Sequence, residues 1–96
     1  MTLRPSSTEL RCKVQVVNSQ GLHARPCHAV ASRALGFQSE LRIHLRGREI
    51  NGKSILELMT LCAPVEATLV FNARGSDAPT LVESLVKLVE DGFGEM

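Results

Sequence analysis

The feature that most restricts the fold of this chain is an alternation of apolar and polar residues that recurs along its length. Every second residue from Leu10 to Val16 is apolar, and the residues between them are charged or amide side chains. The same alternation returns at Leu41–Arg46. A period of two is typical of a strand with one buried and one exposed face. With a short strand at Glu49–Asn51 and another at Thr68–Ala73, these segments predict four strands.

Three helices are predicted around these strands. The segment Ala24–Leu35 is rich in alanine, carries Pro26 in its first turn and is followed by Gly36. This combination is typical of a complete helix, because proline is tolerated at the start and glycine favours the end. A second, short helix is expected at Ile55–Leu61, with Ser54 as its N-cap in a sequence close to a capping box.

The last helix is expected after a turn at Arg74–Asp77, whose serine or aspartate would cap it, and it should end at Gly92. The predicted order is therefore βαββαβα. This order indicates an α+β fold, an open-faced β-sandwich in which three helices cover one face of a four-stranded antiparallel sheet. A chain of 96 residues suffices for one such domain. We expect the domain at residues 10–96, behind a flexible N-terminal tail at residues 1–9.

Charge and composition disfavour several classes of partner. The 11 Lys and Arg side chains nearly balance 10 Asp and Glu side chains, and Trp and Tyr are absent. Nucleic-acid binding, which favours a basic excess and stacking aromatic rings, is therefore not expected. The cysteines Cys12, Cys27 and Cys62 are widely spaced, which disfavours a disulfide framework or a metal site and favours the cytoplasm. No apolar run suits membrane insertion, no signal peptide is recognisable, and no cofactor is expected.

Residues 21–26, Gly-Leu-His-Ala-Arg-Pro, are the most informative about function. His23 directly precedes the first predicted helix, whose free backbone amides at Ala24 and Arg25 suit a phosphate group. The Arg25 guanidinium can hold the same anion, and an unprotonated imidazole is a nucleophile near neutral pH. The segment is typical of a phosphoryl-accepting histidine. The alternative is a partly exposed histidine that only begins a helix.

Two motifs resemble the HPr family, the histidine-containing phosphocarriers of the bacterial phosphotransferase system. The segment GLHARP resembles the family's active-site motif, and NGKSILELMTL at Asn51–Leu61 resembles the segment around its regulatory serine. Ser54 follows His23 by 31 residues (54 minus 23), as in the family. The resemblance extends from Leu10 to about Gly92, and it implies the same βαββαβα fold.

The resemblance implies a role for each matching residue. His23 would accept a phosphoryl group on Nδ1 from enzyme I and pass it to a IIA domain, while Arg25 and the amide of Ala24 would hold the phosphate. Ser54 would be phosphorylated by a kinase in hosts that possess one, the alternative being a simple helix cap. The residues expected in partner docking are Ile55, Leu56, Met59 and Cys27. Core packing is the alternative for the first three.

Two features of the sequence could suggest other chemistry. Cys27 stands where the family usually has alanine, and a small buried residue is the favoured interpretation over a metal or redox site. Residues Gly47–Ser54 match the P-loop pattern G-x-x-x-x-G-K-S. The helix that follows is short, and no apolar strand ends in an aspartate for magnesium, so nucleotide binding is not expected there.

The predicted function is that of a monomeric cytoplasmic phosphocarrier, not an enzyme, which relays a phosphoryl group from phosphoenolpyruvate-charged enzyme I to IIA domains. The alternative is a regulatory binding module of the nitrogen-branch or corepressor type, whose phosphorylation state is the signal. Its partners would include a serine kinase and phosphorylase and a transcriptional regulator. The sugar and nitrogen branches both stay open at this point.

Overall fold

The computed structural model describes residues 8–95 of the chain. Its elements are β1 (Thr8–Gln15), α1 (Ala24–Leu35), β2 (Glu40–Leu45), β3 (Arg48–Asn51), α2 (Ile55–Met59), β4 (Thr68–Gly75), α3 (Ala78–Glu90) and a final 3₁₀ turn (Gly92–Gly94). The predicted α+β class and βαββαβα order are confirmed. Most of the predicted tail lies outside the described residues, and its last two members, Thr8 and Glu9, belong to β1.

The four strands form one antiparallel sheet in the order β1-β4-β2-β3. Its register places Phe71 of β4 between Cys12 of β1 and Ile43 of β2. Phe71 and Ile43 are fully buried, whereas the alternate residues Arg11 and Arg42 are exposed. The helices therefore cover one face of the sheet, as predicted, and the other face is open.

The helices bury an apolar stripe against that covered face. The first helix spans the predicted residues, with Pro26 buried in its first turn and Gly36 as its C-cap. Helix α3 packs against β1 and β4, and α1 contacts both other helices. The buried helical side chains include Val30, Leu58, Leu81, Leu85 and Val89. Burying each such side chain contributes about 2 kcal/mol to the free energy of folding. This packing fixes the helices on the sheet and therefore also fixes the loops at their ends.

Helix α2 is shorter than predicted. It ends at Met59 rather than Leu61, and Thr60 is its C-cap residue. The Thr60 hydroxyl donates to the Glu57 carbonyl at 2.6 Å, and the Arg48 guanidinium donates to the Thr60 hydroxyl at 2.9 Å. These contacts satisfy polar groups at the helix end, so the helix stops there although the sequence beyond it is apolar.

The predicted turn before α3 is also different. Strand β4 continues to Gly75, because β1 begins at Thr8 and the two strands pair to their ends. Asp77 occupies the N-cap position of α3, but its side chain makes no capping hydrogen bond. Its carboxylate instead accepts the backbone N–H groups of Gln38 and Ser39, each at 2.9 Å, and the Ser39 hydroxyl. The aspartate thus ties α3 to the start of β2.

Residues 47–54 do not have the architecture of a P-loop. They form the hairpin turn, β3 and the entry to α2. A P-loop joins a strand of a parallel sheet to a helix of several turns, whereas all strand pairs here are antiparallel and α2 has 5 residues. Across residues 8–95, no helix is long and apolar enough to cross a membrane.

Candidate functional site

The loop that carries His23 is held against the segment after α2. The Leu22 N–H donates to the Ala63 carbonyl at 2.8 Å. Gly21 has a left-handed backbone with φ of 68°, and a Cβ atom at this position would collide with the Ala63 carbonyl and with Pro64. Only glycine allows this close approach. The position of His23 therefore depends on a tertiary contact as well as on its own helix.

His23 is the N-cap residue of α1. Its carbonyl accepts the Cys27 N–H at 3.0 Å, which begins the helix, and its side chain is 35% exposed. Pro26 has no N–H, so the free amides of the first turn belong to Ala24 and Arg25. Both residues are exposed, and the first turn contains no acidic residue. The helix dipole and these amides make the region beside His23 suitable for an anion.

The His23 ring contacts a carboxylate from the other end of the chain. Its Nε2 atom lies 3.1 Å from Oε1 and 2.9 Å from Oε2 of Glu95. The buried Asn18 side chain donates through Nδ2 to Glu95 Oε1 at 3.0 Å and to the Gly21 carbonyl at 2.8 Å. The His23 hydrogen bond, followed by that of Asn18 and the charges of His23 and Arg25, lowers the pKa of Glu95. The carboxylate is therefore ionised at neutral pH.

A polar cavity of about 330 Å³ lies beside these groups. Its lining residues are Ser19, Gln20, His23, Arg25 and Glu95. The exposed guanidinium of Arg25 therefore shares one concave space with the imidazole, as the motif predicts. The arrangement combines a nucleophilic ring, an arginine and a helix N-terminus, which are the groups that phosphoryl transfer through a histidine requires.

An apolar cavity of about 370 Å³ also borders the histidine. Its lining includes His23, Ala24, Met59 and Cys62. Among the side chains predicted for docking, Leu56 is 79% exposed, Met59 45% and Ile55 37%. Core packing, the alternative for these three, therefore does not describe them. They form an exposed apolar surface that continues toward His23 through Met59.

Cys27 does not belong to that surface. It is completely buried, and its thiol points to the Leu22 carbonyl with an Sγ–O distance of 3.6 Å. Burial, and to a smaller extent the nearby Cys62, raises the pKa of Cys27 to about 11. The docking prediction for Cys27 is wrong, because Cys27 lies on the inward face of α1. The other interpretation of this residue, a small buried side chain, is correct. Among residues 8–95, no cluster of three His, Cys, Asp or Glu side chains could hold a metal ion.

Ser54 lies at the N-cap of α2. Its hydroxyl accepts the Glu57 N–H at 3.2 Å, and the Glu57 carboxylate accepts the Asn51 N–H at 2.9 Å. The first contact is the N-cap hydrogen bond that the sequence suggested, but the second is not the other half of a capping box. The Ser54 N–H donates to the Asn51 carbonyl at 3.1 Å instead of to the Glu57 carboxylate. Ser54 is half-buried and directly precedes Ile55, so a charge added here would sit at the edge of the exposed apolar surface.

Asn18 and Glu95 are the site residues that sequence reasoning did not find. The sequence patterns give neither residue a role at the site. Asn18 and Glu95 are 77 positions apart, and no local pattern links them. A buried amide and a carboxylate that meet at His23 are recognisable only in the folded chain.

Comparisons with known proteins find matches over most of the chain. The family model PTS-HPr, described as "PTS HPr component phosphorylation site", matches residues 10–91. The phosphocarrier protein HPr of Cupriavidus necator is 31% identical over 80 residues, which cover 83% of this chain and 90% of that protein.

Solved structures agree as well. A crystal structure of HPr from Thermoanaerobacter tengcongensis superposes with a TM-score of 0.87 at 30% identity, covering 91% of this chain and 98% of that one. A second structure from the same organism, described as an HPr dimer, gives a TM-score of 0.73 at 32% identity and covers 85% of this chain and 94% of that one.

Proposed function

Because the chain belongs to the HPr family of phosphocarriers of the phosphotransferase system, we propose that His23 is the residue that carries its phosphoryl group. In this proposal enzyme I is the donor, a IIA domain is the acceptor, and the protein is a carrier rather than an enzyme. The observation that supports it most directly is the position of a partly exposed imidazole at the N-cap of α1, beside Arg25 and a polar cavity.

The transfer itself is a displacement at phosphorus. The lone pair of His23 Nδ1 forms the new P–N bond while the bond between phosphorus and the donor atom breaks, and the donor atom keeps that electron pair. The amides of Ala24 and Arg25 and the Arg25 guanidinium stabilise the phosphoryl oxygens. Transfer to the acceptor reverses these steps, so His23 returns to its starting state.

The exposed apolar surface formed by Ile55, Leu56 and Met59 is proposed as the docking site for both partners. Exposed apolar patches beside a reactive group are typical of interaction sites, and Met side chains adapt to more than one partner. We propose that the protein works as a cytoplasmic monomer. Light scattering after size exclusion tests this, and a dimer mass at micromolar concentration would contradict it.

The first experiment is phosphorylation by phosphoenolpyruvate and a heterologous enzyme I, followed by intact mass and phosphorus NMR. We expect one added phosphate that is labile in acid and stable in base, because an N–P bond has these properties. His23→Ala should fold normally and gain no phosphate, and His28→Ala, which alters an exposed histidine of the same helix, should behave as the wild type. Phosphorylation of His23→Ala at the wild-type rate would exclude His23 as the carrier.

A further inference from the structure

The turn at Gly92–Gly94 places the Glu95 carboxylate beside the His23 ring. After α3, the residues Gly92, Phe93 and Gly94 all have left-handed backbones, with φ of 64°, 57° and 77°. Such a conformation is unfavourable for Phe93, yet its ring packs against the core. The turn closes with the Glu95 N–H donating to the Gly92 carbonyl at 2.9 Å. Core packing therefore compensates for a strained turn that directs Glu95 toward His23.

The same carboxylate is fixed from its other side by Asn18. Asn18 is 1% exposed, and its Nδ2 bridges Glu95 Oε1 and the Gly21 carbonyl at 3.0 Å and 2.8 Å. Gly21 lies two residues before His23. The bridge therefore links Glu95 to the loop that carries the histidine, and it limits the movement of the carboxylate relative to the ring.

An ionised carboxylate can only accept hydrogen bonds. Glu95 is ionised at neutral pH, because its hydrogen bond with His23, followed by that of Asn18, lowers its pKa. Its contacts at 2.9 Å and 3.1 Å with His23 Nε2 therefore require the proton of the neutral ring to be on Nε2. In a neutral imidazole the other nitrogen then carries the lone pair.

We propose that Glu95 is a positioning residue that selects the Nε2–H tautomer of His23 and so presents Nδ1 as the phosphoryl acceptor. The proposal rests on the proposed function of His23 and adds a residue to it. Formation of the Nδ1–P bond leaves the ring with a positive charge, while the proton remains on Nε2 beside the Glu95 carboxylate. Loss of the phosphoryl group restores the same tautomer, so neither half of the relay requires a proton transfer.

The test combines a measurement on the free protein with one on the reaction. Long-range proton–nitrogen NMR of the full chain, at a pH where the ring is neutral, reports which nitrogen of His23 carries the proton. Steady-state phosphorylation by enzyme I then separates kcat from KM. The variants are Glu95→Ala, Glu95→Gln and, as a matched control, Glu90→Ala, which removes an exposed carboxylate from α3.

We expect the wild type and Glu90→Ala to hold the proton on Nε2 and to react alike. Glu95→Ala should mix the two tautomers and lower kcat about tenfold, the loss typical of one hydrogen bond to a charged group, with KM for enzyme I unchanged. Glu95→Gln keeps the size of the side chain, but its amide can also donate. It should therefore mix the tautomers as well, without the risk of a packing defect.

An unchanged tautomer in both Glu95 variants would overturn the proposal, and so would a tautomer change that leaves kcat at the wild-type value. A fall in kcat with the tautomer unchanged would also overturn it, because Glu95 would then act in another way. If the wild type accepts no phosphoryl group, the proposed function fails. The NMR measurement needs no partner, and it would still decide whether Glu95 selects the tautomer.

Discussion

Arg25 is the residue whose proposed contribution to phosphoryl transfer can best be separated from any contribution to the fold. Its side chain is exposed in the first turn of α1, and it lines the polar cavity with His23. An exposed arginine adds little to stability through ion pairing. The same guanidinium can donate two parallel hydrogen bonds to a phosphoryl group.

We therefore expect Arg25→Ala to lower the rate of phosphoryl transfer about tenfold to a hundredfold, the loss typical of one or two charge-assisted hydrogen bonds. The transfer rate of Arg25→Lys should lie between those of the wild type and Arg25→Ala, because an ammonium group keeps the charge but not the planar arrangement of donors. Single-turnover phosphorylation measures the rate, and thermal unfolding verifies the fold. The control is Arg11→Ala, which changes an exposed arginine on the open face of the sheet. An unchanged transfer rate in Arg25→Ala would show that Arg25 has no role in phosphoryl transfer.

At the scale of a single element, α2 combines a structural cap with the proposed docking surface. Ser54 caps the helix through Glu57, and Ile55, Leu56 and Met59 are the exposed residues of the same short segment. Asp and Asn are as good N-cap residues as Ser. Substitutions at Ser54 can therefore change the charge beside the surface without dismantling the helix.

Ser54→Asp should weaken the binding of enzyme I about tenfold, because a charge at the edge of an apolar interface must be desolvated on docking. Ser54→Asn is the matched neutral cap, and we expect it to bind as the wild type does. Calorimetric titration measures both affinities, and unfolding curves of the two variants should coincide. Equal affinity of the aspartate and asparagine variants would show that partners do not dock beside Ser54.

At the scale of the whole molecule, Asp77 joins parts of the chain that are far apart in sequence. Its carboxylate binds Ser39, 38 positions away, and so connects the start of β2 to α3. The Ser39 hydroxyl, followed by the Gln38 N–H, lowers the pKa of Asp77. A carboxyl group whose pKa is lower in the folded than in the unfolded state stabilises the fold above its unfolded pKa, near 4. That contribution is lost as the pH falls through the folded pKa.

Asp77→Asn should therefore be less stable than the wild type at pH 7, and the difference should shrink as the pH falls below about 4. Urea unfolding at a series of pH values measures the free energy of unfolding for both proteins. Asp91→Asn, which neutralises an exposed carboxylate at the end of α3, is the control. A difference between wild type and Asp77→Asn that does not change with pH would contradict the role of this carboxylate.

Local patterns were sufficient to predict the type and order of the strands and helices and to single out the motif that contains His23. The alternations at Leu10–Val16 and Leu41–Arg46 predicted β1 and β2, and the composition of Ala24–Leu35 predicted α1 with the boundaries observed. These predictions succeed because strand and helix periodicity depends on neighbours two to four positions apart. The predicted order of strands and helices then indicated the fold class. His23 and Arg25 are two positions apart, so their association also follows from a local pattern.

Tertiary structure alone decided which side chains surround the histidine. The sequence placed both Cys27 and Leu56 among the docking residues, and only the packing of α1 and α2 shows that Cys27 faces the core while Leu56 is exposed. Nor could it show that Asp77 binds Ser39 instead of capping α3, or that Asn18 and Glu95 meet at His23. These contacts join residues 38 to 77 positions apart. Such pairings form only when burial of the common core brings distant segments together, so they leave no periodic signal in the chain.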